Sequence, residues 1–191
     1  MEIGEYLSLL SVFERLKNTL RHCYMASGRQ ESVAEHSHRL AVMAYFVKDE
    51  YPNADISKVI LMCLIHDLGE AFTGDIPTFR KTETDEDREE DKIDLFLKTL
   101  PEPYRGELTA LFKEMQALET QEAKLCKALD QMEAVIQHNE SDIETWLPLE
   151  YELQLTHGEK YVAFSDFTLR LKEACNRITR EKIDAKQNSS K

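Results

Sequence analysis

The chain of 191 residues carries 24 Lys and Arg against 36 Asp and Glu, a formal net charge of −12 at pH 7. A field of that sign repels polyanions, which excludes general nucleic-acid binding and charge-driven attachment to anionic lipid. Hydrophobic residues at 42% supply a core, and six Gly with five Pro leave room for long helices joined by short turns. The length fits one domain, expected over residues 1–183, with a frayed polar tail at 184–191. Met1 to Leu10 is acidic where a secretory leader is basic, and the longest apolar run, Val59 to Ile65, is too short to span a bilayer. Cys23, Cys63, Cys126 and Cys175 form no C-x-x-C pair and read as isolated core thiols in a reducing compartment. A cytoplasmic protein is the expectation.

Nearly every segment scans at helical period. Tyr6, Leu9, Leu10, Phe13, Leu16 and Leu20 form one stripe and predict a helix over 4–24. Ser32-Val33-Ala34-Glu35 has the form of a capping box and opens a second helix, ended near Tyr51-Pro52-Asn53. A third is expected over 56–68, stopped by Gly69, followed by a loop at Gly74-Asp75-Ile76-Pro77-Thr78. Glu83 to Asp94 holds eight acidic residues and reads as a solvated helix face or a mobile lid. Further helices fit 88–100, 103–117, 119–139, 142–156 and 165–183. The fold class is all-α, a helical bundle. Tyr6, Phe13, Phe164 and Phe167 are candidates for a homodimer face, with burial in the core the plainer reading of each.

The chemistry-bearing residues are polar groups on apolar helix faces. His36 falls in the stripe of Val33, Leu40, Met43 and Val47, whereas His38 falls on the polar side. His66-Asp67 follows seven apolar residues, at the end of a helix expected to be buried, where an ionised Asp needs a counter-charge or a metal. One helical turn groups Glu70 with that doublet. Asp130 sits at the edge of the arc of Leu125, Leu129, Met132 and Ile136, with small Ala and Cys neighbours beside it. Each has a plainer reading: a hydrogen-bonded core histidine, a polar helix end capped by Gly69, a surface salt bridge from Asp130 to Lys127. Jointly, two imidazoles and two carboxylates supply ligands for one divalent cation with positions left open, a set suited to phosphate-ester hydrolysis. No cysteine lies near enough to make a structural zinc site.

The order His36, His66-Asp67, Asp130 resembles the H…HD…D signature of the HD-domain metal-dependent phosphohydrolases. Glu35-His36-Ser37, Leu64-Ile65-His66-Asp67-Leu68-Gly69-Glu70 and Thr73-Gly74-Asp75-Ile76-Pro77-Thr78 resemble the branch of bacterial 5′-deoxynucleotidases and oxetanocin-like hydrolases, over roughly residues 5–140. The resemblance implies a single buried metal held by His36, His66, Asp67 and Asp130. Mn²⁺ or Co²⁺ is the expected activating ion, with Fe²⁺, Ni²⁺, Zn²⁺ or Mg²⁺ as alternatives. It implies a catalytic set of Glu70, Arg21 and Asp67, with Arg21 on the phosphate and Glu70 on the attacking water or the leaving oxygen. It places substrate contacts at Arg21, His22, Asp75, Ile76, Pro77 and Thr78. His22 departs from the family, which often has Trp there. The implied activity is release of phosphate from deoxyribonucleoside 5′-monophosphates, by a protein with a small nucleotide partner, no nucleic acid and no membrane, as a homodimer. Other nucleotide substrates (triphosphate, pyrophosphate or cyclic ester) and a non-catalytic metal-containing binding module are the alternatives. Paired-iron oxygen chemistry needs a second HD-like ligand set, which the sequence lacks. The last fifty residues carry no recognisable motif.

Overall fold

The computed structural model describes residues 1–189. Helix α1 covers Ile3–Leu16, shorter than its apolar stripe implies. The chain then turns back on itself as an antiparallel hairpin, β1 (Leu20–Tyr24) and β2 (Gln30–Ser32). Gly28 turns the hairpin at φ +86°, a backbone value that a Cβ disfavours. The expectation of helix to residue 24 is therefore corrected. Leu20 kept the helical period only by coincidence and is half exposed. Apart from this hairpin, every regular element among the described residues is helical.

Helix α2 (Val33–Phe46) starts where expected, with Ser32 Oγ accepting from Glu35 N and Glu35 reaching back to Ser32 N at 2.9 Å. Helix α3 (Ile56–Ile65) is capped by Asp55, which accepts from Lys58 N at 3.1 Å. The apolar run, expected to be buried, is buried on one face only: Val59, Met62, Cys63 and Ile65 face the core while Leu61 and Leu64 are exposed. The helix also ends earlier than expected. Residues 66–69 form a turn leading into the short α4 (Glu70–Thr73). Gly69 has a right-handed backbone, φ −57°, so it is no left-handed stop; a Cβ there would run into the Glu89 side chain.

Helix α5 (Glu83–Leu97) opens on a Thr82–Asp85 capping box and turns most of its acidic face to solvent, with Glu89 paired to Lys81 at 2.6 Å. Helices α6 (Tyr104–Ala117) and α7 (Gln121–Glu140) follow, then α8 (Glu150–Thr156), α9 (Glu159–Val162) and α10 (Asp166–Ser189). Helix α10 continues through 184–189, where fraying is expected from composition; positions 190 and 191 lie outside the described residues.

Helices α2, α3 and α7 pack against one another in pairs. Leu40, Ala44, Val59, Met62, Leu125 and Leu129, all fully buried, fill the space between them. Each large side chain there contributes about 2 kcal/mol by leaving water. Phe164 and Phe167 pack on Tyr51 at this core, and Phe13 packs in the neighbouring cluster of Leu16, Val33, Ile65 and Leu68. Those three aromatics are therefore core residues, whereas Tyr6 remains half exposed. The cysteines are free and buried, but Cys63 and Cys126 are not isolated: their Sγ atoms lie 3.7 Å apart between α3 and α7.

Gly158 joins α8 to α9 at φ +76°, and a Cβ there would lie 2.7 Å from Gln131 Cβ on α7. Gly158→Ala is expected to destabilise the fold by at least about 2 kcal/mol, from the left-handed backbone and the contact together. Urea unfolding of the variant beside the parent chain measures this.

Candidate metal centre

The three packed helices carry their polar residues to one point. His36, in the first turns of α2, is fully buried, and His66 and Asp67 follow the last turn of α3. Asp130 comes from the middle of α7. His36 Nε2 lies 3.3 Å from His66 Nε2 and 3.2 Å from Asp130 Oδ1. Asp67 Oδ2 is 3.0 Å from His66 Nε2 and 3.8 Å from His36 Nε2. Asp130 Oδ1 is 3.5 Å from His66 Nε2.

The outer nitrogens decide what this knot of atoms wants. His66 Nδ1 lies 2.9 Å from the Cys63 carbonyl, which can only accept, so Nδ1 carries the proton. His36 Nδ1 faces the Glu133 carboxylate at close range. Glu133 is itself fully buried and is ion-paired with Arg39, whose Nε lies 3.2 Å from Oε1. In neutral rings both Nε2 atoms therefore present lone pairs to each other and to two carboxylate oxygens. Such an arrangement is repulsive without positive charge among the four. Ligands held about 2.1 Å from one divalent ion stand roughly 3 Å apart, near the spacing of the two Nε2 atoms and of each from its nearer carboxylate oxygen. The electrostatics have the same sign. Burial and Arg21 work against a charged His36, yet Glu133 and Asp130 hold it above the ordinary imidazole value. Against burial again, Asp67 and Asp130 hold His66 well above that value. Burial raises the Asp67 and Asp130 carboxyls less than their neighbours lower them: His66 does so for Asp67, and Lys127 with the two imidazoles for Asp130. His38 is exposed, away from this centre.

Asp67 and Asp130 form part of the floor of a cleft of about 630 Å³. Arg21 lies on its wall, on β1 rather than near a helix end as expected, with Nε 3.1 Å from Glu31 and Nη1 3.5 Å from Asp67. Glu70 is buried on the same wall, and its Oε2 has no hydrogen-bond partner. Burial first, then the Asp67 and Asp75 charges, push its carboxyl up to about 10. His22, Asp75, Ile76, Pro77 and Thr78 also line the cleft, and the His22 backbone N–H is turned toward the Asp75 carboxylate, whose ionisation it favours against burial. All the residues singled out for substrate contact thus share one cavity.

The sequence reading missed the rest of the wall. Lys127 Nζ does pair with Asp130 Oδ2 at 2.8 Å, as the plainer reading has it, while Asp130 Oδ1 turns to the histidines. Gln131, His138, Glu150, His157 and Tyr161 complete the cavity from α7 to α9. The last fifty residues, which carry no motif, therefore supply one side of the site. Lys127, one turn before Asp130 on the same helix, had a readable signal; His157 and Tyr161 had none.

Two outcomes follow. Glu133→Gln removes the carboxylate behind His36 and is expected to lower divalent-metal affinity by about 10–100-fold, measured by equilibrium dialysis. In metal-stripped protein, Glu70 is protonated when folded and ionised when unfolded between pH 4.5 and about 10. Its contribution to stability is full below pH 4.5 and declines as pH rises through that window. Glu70→Gln is therefore expected to raise Tm by roughly 5 °C at pH 8, with the gain vanishing near pH 4 in thermal melts.

The family described as HD domain matches residues 13–171. A human protein named 5′-deoxynucleotidase HDDC2 is 35% identical over 143 residues, 73% of this chain and 69% of that protein. A Dictyostelium discoideum protein of the same name is 27% identical over 185 residues, 88% of this chain and 97% of that protein. Among solved structures, a protein of Magnetospirillum magnetotacticum MS-1 described as a predicted metal-dependent phosphohydrolase is similar at a TM-score of 0.78 and 28% identity. That similarity covers 95% of this chain and 93% of the other. With the family matched along most of its length and the helical fold shared, this chain belongs to the HD-domain family.

Proposed function

We propose that this chain is a metal-dependent phosphomonoesterase that releases phosphate from deoxyribonucleoside 5′-monophosphates. The observation that carries the reading is that the His36 and His66 Nε2 atoms lie 3.3 Å apart, each within 3.8 Å of an oxygen of Asp67 and of Asp130, at the floor of a cleft walled by Arg21 and Glu70. The names of the relatives support the same substrate class. His36, His66, Asp67 and Asp130 would hold one divalent ion, Mn²⁺ or Co²⁺ by preference. When bound, such an ion acidifies water, polarises the phosphoryl group and offsets charge as it develops.

The remaining work falls to the chain's own side chains. Arg21 is pinned by Glu31 and Asp67, and a guanidinium fixed at one edge keeps its other donors for a phosphate. Glu70 keeps a proton near neutrality because burial and two neighbouring carboxylates disfavour its charge. A nearby cation draws that value down, so Glu70 can give a proton to the leaving 5′-oxygen. Asp75, faced by the His22 backbone N–H, stands beside Ile76, Pro77 and Thr78 where the sugar would lie. There, burying a 2′-hydroxyl without a partner would discriminate against ribose. We read residues 1–183 as one working domain, acting in the cytoplasm as a homodimer. The exposed Ile3, Tyr6, Leu7 and Leu10 on α1 support the assembly.

The test is phosphate release from matched deoxy- and ribonucleoside 5′-monophosphates, on chelator-stripped protein with Mn²⁺ or Co²⁺ restored. Metal-dependent release from the deoxy substrates alone is expected. Asp67→Ala should fall to background, and Arg21→Lys should lose at least about tenfold in kcat/KM. Release from neither series, with metal bound, would discard the monophosphate assignment.

A further inference from the structure

His22, His138 and Glu150 take no part in the centre described above, yet they make a second convergence of ligand atoms. They come from β1, the last turn of α7 and the start of α8, and all three line the cleft. Glu150 Oε1 lies 3.1 Å from His22 Nε2 and 3.0 Å from His138 Nε2. The three ligand atoms all fall within 4.8 Å of one another.

The surrounding bonds repeat the logic of the first centre. The His138 Nδ1 lies 3.0 Å from the Ala134 carbonyl, which accepts only, so that nitrogen carries the proton. In the neutral ring, His138 Nε2 then turns a lone pair toward a carboxylate oxygen. Glu150 is almost fully buried, and its second oxygen is already satisfied by the Leu147 N–H at 2.6 Å. The rings are fixed from behind: His138 meets Trp146 edge-on at 5.9 Å, and His22 meets Phe79 edge-on at 5.5 Å. Lone pair against carboxylate, rigidly held, requires a positive charge between them.

We propose that His22, His138 and Glu150 form a second divalent-metal site of the zinc type in the wall of the cleft. Two imidazole nitrogens and one carboxylate oxygen are a zinc-type set that leaves a fourth position for water or a ligand oxygen. The side chains of His22 and His138 stay 26% and 13% exposed, so that position opens to the cavity. The site does not depend on the phosphomonoesterase reading, since none of its ligands belongs to the first centre.

The experiment is equilibrium dialysis of the metal-stripped full chain against micromolar Zn²⁺, with zinc counted per chain and the visible spectrum of the Co²⁺ form recorded. Glu150→Gln keeps an acceptor for Leu147 and is expected to bind one equivalent fewer than the parent chain. The Co²⁺ absorption should fall with it. His22→Gln, at a partly exposed position, is expected to weaken that same equivalent at least tenfold with an unchanged helical circular dichroism spectrum. Asp67→Ala should remove a different equivalent, so that the Asp67/Glu150 double variant loses both. Parental stoichiometry and affinity in His22→Gln would overturn the proposal, because a proton on His138 would then be what holds the cluster together. That variant decides the matter even where Glu150→Gln fails to fold.

Discussion

Glu133 is an ionised carboxylate with no exposed surface, and it persists there because His36 Nδ1 and Arg39 Nε both turn toward it. This contact has consequences beyond charge neutralisation. It fixes the proton of His36 on the outer nitrogen, and it orients the inner one toward His66 at 3.3 Å. The Cys63 carbonyl does the same for His66 from the other side. Two helices would otherwise have no reason to present bare nitrogens to each other across a core. The packing of α2 against α3 and α7 is therefore coupled to the charge state at their crossing. A residue in the second layer decides what the first layer can bind.

The same coupling explains how so acidic a chain can receive an anion. The net charge of −12 describes the far field, which decays over about 8 Å at physiological salt. Inside the cleft, Arg21, Lys81, Lys127 and Lys160 line a wall that also carries Asp67, Asp75 and Asp130. Most of those cations are committed to carboxylates: Lys127 to Asp130 at 2.8 Å, Lys81 to Glu89 at 2.6 Å. Positive charge is therefore held in place, at fixed points, and screened from bulk anions. A small phosphate ester can exploit that pattern, whereas a polymer meets mostly the acidic exterior.

Much of this was legible in the order of residues, for identifiable reasons. His36 and Asp130 reveal themselves because a polar group in an apolar helical stripe needs a partner, and both are buried where the period places them. The capping box at Ser32 and Glu35 likewise survives intact. The hairpin at 20–32 was hidden by Leu20, which prolongs the stripe of α1 by chance, although Ala26-Ser27-Gly28 is a turn signal in plain view. The Cys63–Cys126 contact joins residues far apart along the chain, and no local pattern reports such a meeting. For the same reason the His22–Glu150–His138 cluster was invisible: its members sit on three elements and only the tertiary path brings them within reach. Glu70 was legible as a neighbour of the doublet, but its unpaired buried oxygen follows from the tight turn at 66–69, which a helical wheel does not foresee.

The cavity wall built by residues 153–161 has a temporal consequence. All four ligand atoms of the first centre, and the Glu133 that orients them, lie before residue 134, on elements that pack directly on one another. The wall that encloses the cleft arrives later, with α8 and α9 anchored through Gly158 against α7. As the polypeptide leaves the ribosome, the groups that attract a cation are therefore complete before the groups that shape the cavity. The ligands of the ion and the definition of the substrate pocket are thus carried by separate stretches of the sequence, the first before residue 134 and the second in large part after it.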